Sequence, residues 1–252
     1  MDEIATLRAT WQAQAQESVV GWDWSRLDGR MLEQPLPWDY RQIVAAHLRQ
    51  DDELLDMGTG GGEFLLSLHH PYARTCVTEA WPPNVDLIRR HLTPLGVTLG
   101  VTGADDHLPF ADGRFDVVLN RHESFDAAEV ARVLRRGGVF VTQQVGASNG
   151  RDLAVFLLRD APTSEHTLAA CRTQLESAGL TVLQAQEAFP TSRFTDVGAI
   201  VWYASTVGWE FPGFSVDACL DRLLALHARC EHGETIPMRE HRFLLVARLP
   251  GI

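Results

Sequence analysis

The run Leu54-Leu55-Asp56-Met57-Gly58-Thr59-Gly60-Gly61-Gly62-Glu63-Phe64 leaves this chain little freedom in how it folds. A short apolar run ends near an acid, a glycine turn follows, and a helix-compatible run starts at Glu63. Glycines at a strand-to-helix turn let the backbone approach a ligand closely, and the N–H groups that open the helix face that ligand. Four glycines within five residues exceed what a tight turn needs, so ligand binding is favoured over a purely structural turn. A dinucleotide-binding turn spaces its glycines Gly-x-Gly-x-x-Gly. Counted from Gly58 and Gly60, the third falls on Glu63, whose bulk and charge fit poorly beside a pyrophosphate. A cationic ligand without phosphates suits Asp56 and Glu63 better.

From residue 53 onward, strand and helix patterns alternate. Strands are predicted at Leu54–Met57, Thr75–Thr78, Val97–Val101, Phe115–Asn120 and Gly138–Gln144. Helices are predicted at Glu63–His69, near Val85–Leu92 and at Ala127–Leu134. Such alternation argues for a parallel sheet covered by helices on both faces. Later segments read as helices at Leu153–Leu158 and Leu168–Ala178, and as strands at Leu180–Gln184 and His241–Ala247. Ahead of the core, residues 1–18 read as an amphipathic helix carrying Ile4, Leu7, Ala9 and Trp11, and a second helix starts after Pro37. The expected organisation is one domain: an N-terminal helical extension (1–39), a ligand-binding core (40–186), an insertion (187–238) and a last strand (239–252).

The chain has 252 residues and a net charge of −11, from 22 basic and 33 acidic side chains. That balance disfavours broad binding to a phosphate backbone, which needs clustered cations. Arg89-Arg90 and Arg132, Arg135 and Arg136 are the candidate basic patches. The sequence contains no lysine, which excludes a lysine-based phosphate loop, a Schiff-base lysine and a lysine nucleophile. Cys76, Cys171, Cys219 and Cys230 show no Cys-x-x-Cys spacing, so neither a zinc module nor a redox pair is expected. No apolar run is long enough to span a bilayer, and the acidic start lacks signal-peptide character, so a cytoplasmic protein is expected.

Three further motifs accompany the glycine turn. Glu79 closes the predicted strand at Thr75–Thr78; a carboxylate there can accept both hydroxyls of a ribose, or simply favour a helix N-terminus. The segment Gly103-Ala104-Asp105-Asp106-His107-Leu108-Pro109-Phe110 leads to Phe115-Asp116-Val117-Val118. Leu134-Arg135-Arg136-Gly137-Gly138 turns into the strand at Gly138–Gln144. Together these ordered landmarks resemble the class I S-adenosylmethionine-dependent methyltransferases, specifically small bacterial members with a Leu-Pro-Phe signature. The resemblance spans about residues 40–145. It departs from the family pattern at Ala104, where an aspartate is common, and at Arg136, where a proline is usual.

The resemblance implies a Rossmann-like, doubly wound α/β fold with seven strands, mostly parallel with an antiparallel last strand, plus helical N-terminal and inserted cap segments. It implies S-adenosylmethionine as the cofactor. The implied contact residues are Asp56, Gly58, Thr59 and Gly60 in the turn, and Glu79 and Ala80 at the ribose. Ala104, Asp105 and Asp106 are implied at the adenine, with Asp105 the better candidate, and Asn120 and Arg121 after the fourth core strand. His122 is a candidate general base, because its ordinary pKa lies near neutrality, and Glu123 a candidate to orient it. Alternatively, His122 and Glu123 cap the following helix and Arg121 forms a structural ion pair. Gln143, Gln144 and Asn149 stand on the substrate side, although Asn149 also suits a helix cap.

The insertion carries Phe189, Phe194, Trp202, Tyr203, Trp209, Phe211 and Phe214. These aromatics either bind a flat apolar acceptor or close a core over the sheet. The expected reaction is methyl transfer to a small molecule, with no metal and no membrane partner. An RNA base remains an alternative acceptor, and a non-catalytic cofactor-binding protein an alternative role.

Overall fold

The computed structural model describes residues 3–17, 19, 21–103 and 107–251. In chain order the elements are α1 (Glu3–Ala15), β1 (Met31–Leu32), α2 (Tyr40–His47), β2 (Leu54–Met57), α3 (Glu63–Ser67), β3 (Thr75–Glu79), α4 (Pro82–His91) and β4 (Thr98–Val101). They continue as β5 (Phe115–Arg121), α5 (Ala127–Val133), β6 (Leu134–Val145), α6 (Arg151–Leu158), α7 (Leu168–Ser177) and β7 (Thr181–Ala188). The last are β8 (Thr191–Phe194), α8 (Val197–Thr206), α9 (Val216–Glu231), β9 (Ile236–Arg239) and β10 (Arg242–Arg248).

Seven strands form one sheet in the order β4-β3-β2-β5-β6-β10-β7, and β10 runs antiparallel to both of its neighbours. Every residue of β2 and β3 is buried, as expected of central parallel strands covered on both faces. On one face Tyr40 and Val44 of α2, Leu65 of α3 and Ile88 of α4 pack against Leu54, Val77, Leu119 and Val141. On the other, Val130 and Val133 of α5 and Leu175 of α7 pack against Leu55, Val118, Phe140 and Leu245. Burying each such side chain contributes about 1.5–3 kcal/mol. The edge strand β7 is mostly exposed. It extends to Ala188, beyond the segment its sequence suggested, because β10 pairs with it over its whole length.

A second, three-stranded antiparallel sheet has the order β1-β8-β9. Its strands come from the N-terminal segment and from the region 187–239, so those segments build one cap together. At the cap's centre, α8 is buried from Val197 to Ala204, which explains why its sequence is apolar all round. Trp11, Leu27, Leu153, Leu157, Phe194, Trp202, Phe211, Leu223 and Met238 complete this core. In α1 Trp11 is buried, Leu7 and Ala15 pack partly buried against the same core, and Ile4 is 47% exposed. α6 also packs into the cap through Leu153, Ala154 and Leu157.

Helix starts follow local chemistry. Asp39, Asp126, Thr167, Asp196 and Ser215 cap α2, α5, α7, α8 and α9 by accepting backbone N–H groups. The cap of α5 is therefore Asp126, not His122 or Glu123. α6 starts from Gly150, and the Asn149 side chain is committed elsewhere.

Candidate active site at the glycine turn

Gly58, Gly60 and Gly62 have φ of 62°, 60° and 86°, the left-handed region that glycine adopts without steric cost. Asp56 is buried beneath the turn and accepts a 2.7 Å hydrogen bond from Thr59 Oγ1. Burial pushes its carboxyl up to about 6, against the opposing pull of the Thr59 bond and the Arg121 guanidinium. The Thr59 N–H donates to the Thr78 carbonyl, and Gly58 N–H to Thr78 Oγ1, which ties the turn to β3.

Glu79 ends β3 and is buried. Its Oε2 accepts from Gly60 N at 3.2 Å and Asn84 Nδ2 at 3.1 Å; its Oε1 accepts from Ala80 N at 2.9 Å and Trp81 N at 3.1 Å. Four donors meet the roughly four acceptor positions of a carboxylate. Glu79 thus splices the turn to the start of α4, and a hydroxyl ligand must exchange with one of these donors.

Two side chains cover the turn. A Cβ added at Gly58 would lie 2.6 Å from Glu123 Cγ, and one at Gly60 would lie 3.2 Å from Trp22 Cδ1. The adjoining cavity, lined by Gly58, Thr78, Glu79, Thr102, Glu123 and Phe125, measures about 30 Å³. Such a space holds about one water molecule. Trp22 itself has φ 57°, and it stacks on Trp24 and meets Trp209 edge-on, both at 6.1 Å between ring centroids. Glycine spacing marks the turn in the sequence; nothing local to Trp22 marks its partner.

At the end of β5, Asn120 is fully buried and accepts from Thr142 Oγ1 and Gln144 Nε2. Its Nδ2 has no hydrogen-bond partner among the described residues, leaving a buried donor beside the site. Arg121 stacks its guanidinium 4.8 Å from the Phe64 ring centroid. His122 has φ 66°, and its backbone N–H donates to the Gln143 carbonyl on β6. The residue is exposed at the surface, with the Arg242 and Arg121 guanidiniums acting on its ring. Ala104, Asp105 and Asp106, expected at the adenine, lie outside the described residues. Leu108 and Phe110 are buried packing residues.

Residues 55–142, which run from β2 into β6 and carry the glycine turn, Glu79 and His122, match the family described as Methyltransferase domain. The match covers about a third of the chain, and the seven-stranded sheet around it is consistent with the class I methyltransferase fold. A candidate methyltransferase from Bacillus halodurans has a similar fold, with 18% identity and a TM-score of 0.57 over 84% of this chain and 99% of that one. A functionally unknown protein from Deinococcus radiodurans has 12% identity and a TM-score of 0.60 over 97% and 99% of the two chains. The cyclase SpnF has 18% identity and a TM-score of 0.51 over 84% and 81%. At such identities the shared property is the architecture, and an architecture alone does not fix a reaction. No curated protein matches the chain in sequence.

Beyond the turn, the core meets the cap through a buried polar network. Arg242 Nη2 lies 2.9 Å from Glu240 Oε2, and Arg242 Nη1 donates to Asn149 Oδ1. Asn149 Nδ2 lies 2.9 Å from both Glu210 oxygens and 3.2 Å from the Tyr203 hydroxyl. Burial raises the Glu210 carboxyl to about 7, although Asn149, Arg242 and Tyr203 pull it down. Sequence reasoning singled out Asn149 but not Glu210, which follows α8, or Glu240 and Arg242, which flank the start of β10. The insertion aromatics divide: Phe194, Trp202, Tyr203 and Phe211 are cap core, whereas Phe189 is 42% and Trp209 62% exposed. Among the described residues no group of three or more His, Cys, Asp or Glu side chains could hold a metal, and no helix is long and apolar enough to cross a membrane.

Proposed function

We propose that the chain is an S-adenosylmethionine-dependent methyltransferase acting on a small-molecule acceptor. The observation that carries this reading is the glycine turn after β2 joined to the Glu79 carboxylate at the end of β3, within a methyltransferase domain. The donor set suits the cofactor. Asp56, Glu79 and Glu123 surround the turn with carboxylates, which favour a cation and hydroxyl groups over a pyrophosphate. The unpartnered Asn120 Nδ2 adds a buried donor for a ligand acceptor. When bound, S-adenosylmethionine supplies an electrophilic methyl group on a sulfonium sulfur. Gly58, Thr59 and Gly60 would hold it with Asp56 beneath them, Glu79 and Ala80 would meet its ribose, and Asn120 and Arg121 would flank it. Ala104, Asp105 and Asp106 are the candidates for the adenine edge. The chain's own work is alignment and exclusion of water.

The charge pattern favours a small molecule over RNA. Three of the five arginines in the candidate basic patches are in ion pairs: Arg132 with Asp112 and Glu129, Arg135 with Asp116, and Arg89 with Asp86. Phosphate-backbone binding needs cations free to replace counterions.

Calorimetric titration tests the reading, with S-adenosylmethionine, S-adenosylhomocysteine and NAD on the native chain and on Glu79→Ala. The expected result is binding of the first two but not NAD, weakened in the variant by about 1–3 kcal/mol. A folded native chain that binds neither S-adenosyl compound would overturn the cofactor assignment.

A further inference from the structure

His122 is oriented by a chain of two hydrogen bonds that begins in the N-terminal segment. Trp38 Nε1 lies 2.9 Å from Gln143 Oε1, and Gln143 Nε2 lies 3.0 Å from His122 Nε2. An indole N–H only donates, so the Gln143 atom facing it must be the carbonyl oxygen. The amide nitrogen then faces His122, and an amide nitrogen only donates. His122 Nε2 must therefore be the ring nitrogen without a proton, which leaves the proton on Nδ1. The assignment follows from donor chemistry and does not depend on seeing a hydrogen atom. Gln143 is buried between these partners, and the His122 backbone is pinned to the Gln143 carbonyl at 2.8 Å, so the ring cannot easily leave its donor. No hydrogen bond holds His122 Nδ1 among the described residues, and the residue as a whole is exposed.

We propose that His122 is a neutral hydrogen-bond donor, a positioning residue whose Nδ1–H grips an oxygen of the methyl acceptor, and that it does not take the acceptor's proton. The surroundings act in the same direction. Crowding by protein, then the Arg242 and Arg121 guanidiniums, lower the ring's affinity for a second proton. Glu123, the adjacent acid, lies against Gly58. On this reading the nucleophile arrives with its electron pair already free, for example as an anionic oxygen or a neutral amine, beside an oxygen that the Nδ1–H can grip. A methylated amine loses its extra proton to solvent, not to His122.

The location of His122 beside the cofactor rests on the methyltransferase reading; its tautomer does not, so the two fail separately. Histidine-selective 15N NMR on the full chain is the test. The expected His122 signal is that of an Nδ1-protonated neutral ring, unchanged from pH 8 to pH 5.5. In Gln143→Glu, where a carboxylate replaces the amide donor, the same ring should titrate within that range. An Nε2-protonated ring, or titration near pH 6.5 in the native chain, overturns the proposal whether or not the cofactor binds. The second arm uses His122→Asn, which tolerates the left-handed backbone and keeps a donor near the Nδ1 position. Release of S-adenosylhomocysteine is followed with a panel of phenols, carboxylic acids and amines. His122→Asn should stay within about threefold of the native rate with an unchanged pH profile, while His122→Ala raises KM about tenfold. A hundredfold loss in His122→Asn, with disappearance of an acidic limb, would identify a base instead.

Discussion

Glu210 shows how one carboxyl can set a pH dependence for the whole chain. Its pKa moves from an ordinary 4.5 to about 7, chiefly through burial. Between those values the folded chain holds a proton that the unfolded chain has released. Stability therefore falls as pH rises through that window, and the penalty is complete above about 7. Asp56, raised to about 6, adds to the lower part of the same window. A shift of Glu210's size is worth up to ~3 kcal/mol, and its partial exposure reduces this to about 1–2 kcal/mol. Glu210→Gln should therefore be the more stable protein at pH 8 and about equal to the native chain at pH 5. Urea unfolding midpoints across that range check this; a variant whose curve parallels the native one would assign the pH dependence elsewhere.

At the scale of elements, α8 and the loop behind it separate two tryptophans that look alike in sequence. Trp202 is 1% exposed in the cap core, and its removal should cost about 3–5 kcal/mol. Trp209 is 62% exposed, and its removal should change stability by no more than about 0.5 kcal/mol. Denaturant unfolding of the two alanine variants measures the difference, and equal losses would refute this account of the cap. Local pattern made β2, β3, β5 and the turn legible, because buried parallel strands and glycine-dependent backbone leave marks within a few residues. The second sheet was not legible: β1 has two residues, and its partner β8 lies far along the chain. Gln143 was visible as a polar strand end, but its role depends on Trp38, which the sequence separates from it by a hundred residues or so. The site divides in the same way. Turn, acid and His122 can be read from the sequence, whereas what touches them depends on tertiary pairing.

For the whole molecule, the contact between Trp22 and Gly60 couples cap and core, since Trp22 also meets Trp209 of the insertion. The space beside the turn is about 30 Å³, whereas sites for drug-sized ligands measure roughly 300–1,000 Å³. Trp22 and Glu123 must therefore shift before a nucleoside-sized ligand can settle on the turn. Observed affinity is then the intrinsic affinity scaled by the fraction of molecules already open. Stopped-flow tryptophan fluorescence should show an association rate that levels off with rising S-adenosylmethionine, and Trp22→Ala should remove the plateau. A rate that stays linear in the native chain would mean the turn is open without rearrangement. A plateau would make the tryptophan a clock: the donor's arrival would keep the time of the cap's opening, and an acceptor lodged against the cap first would delay it, imposing an order of addition on the two substrates.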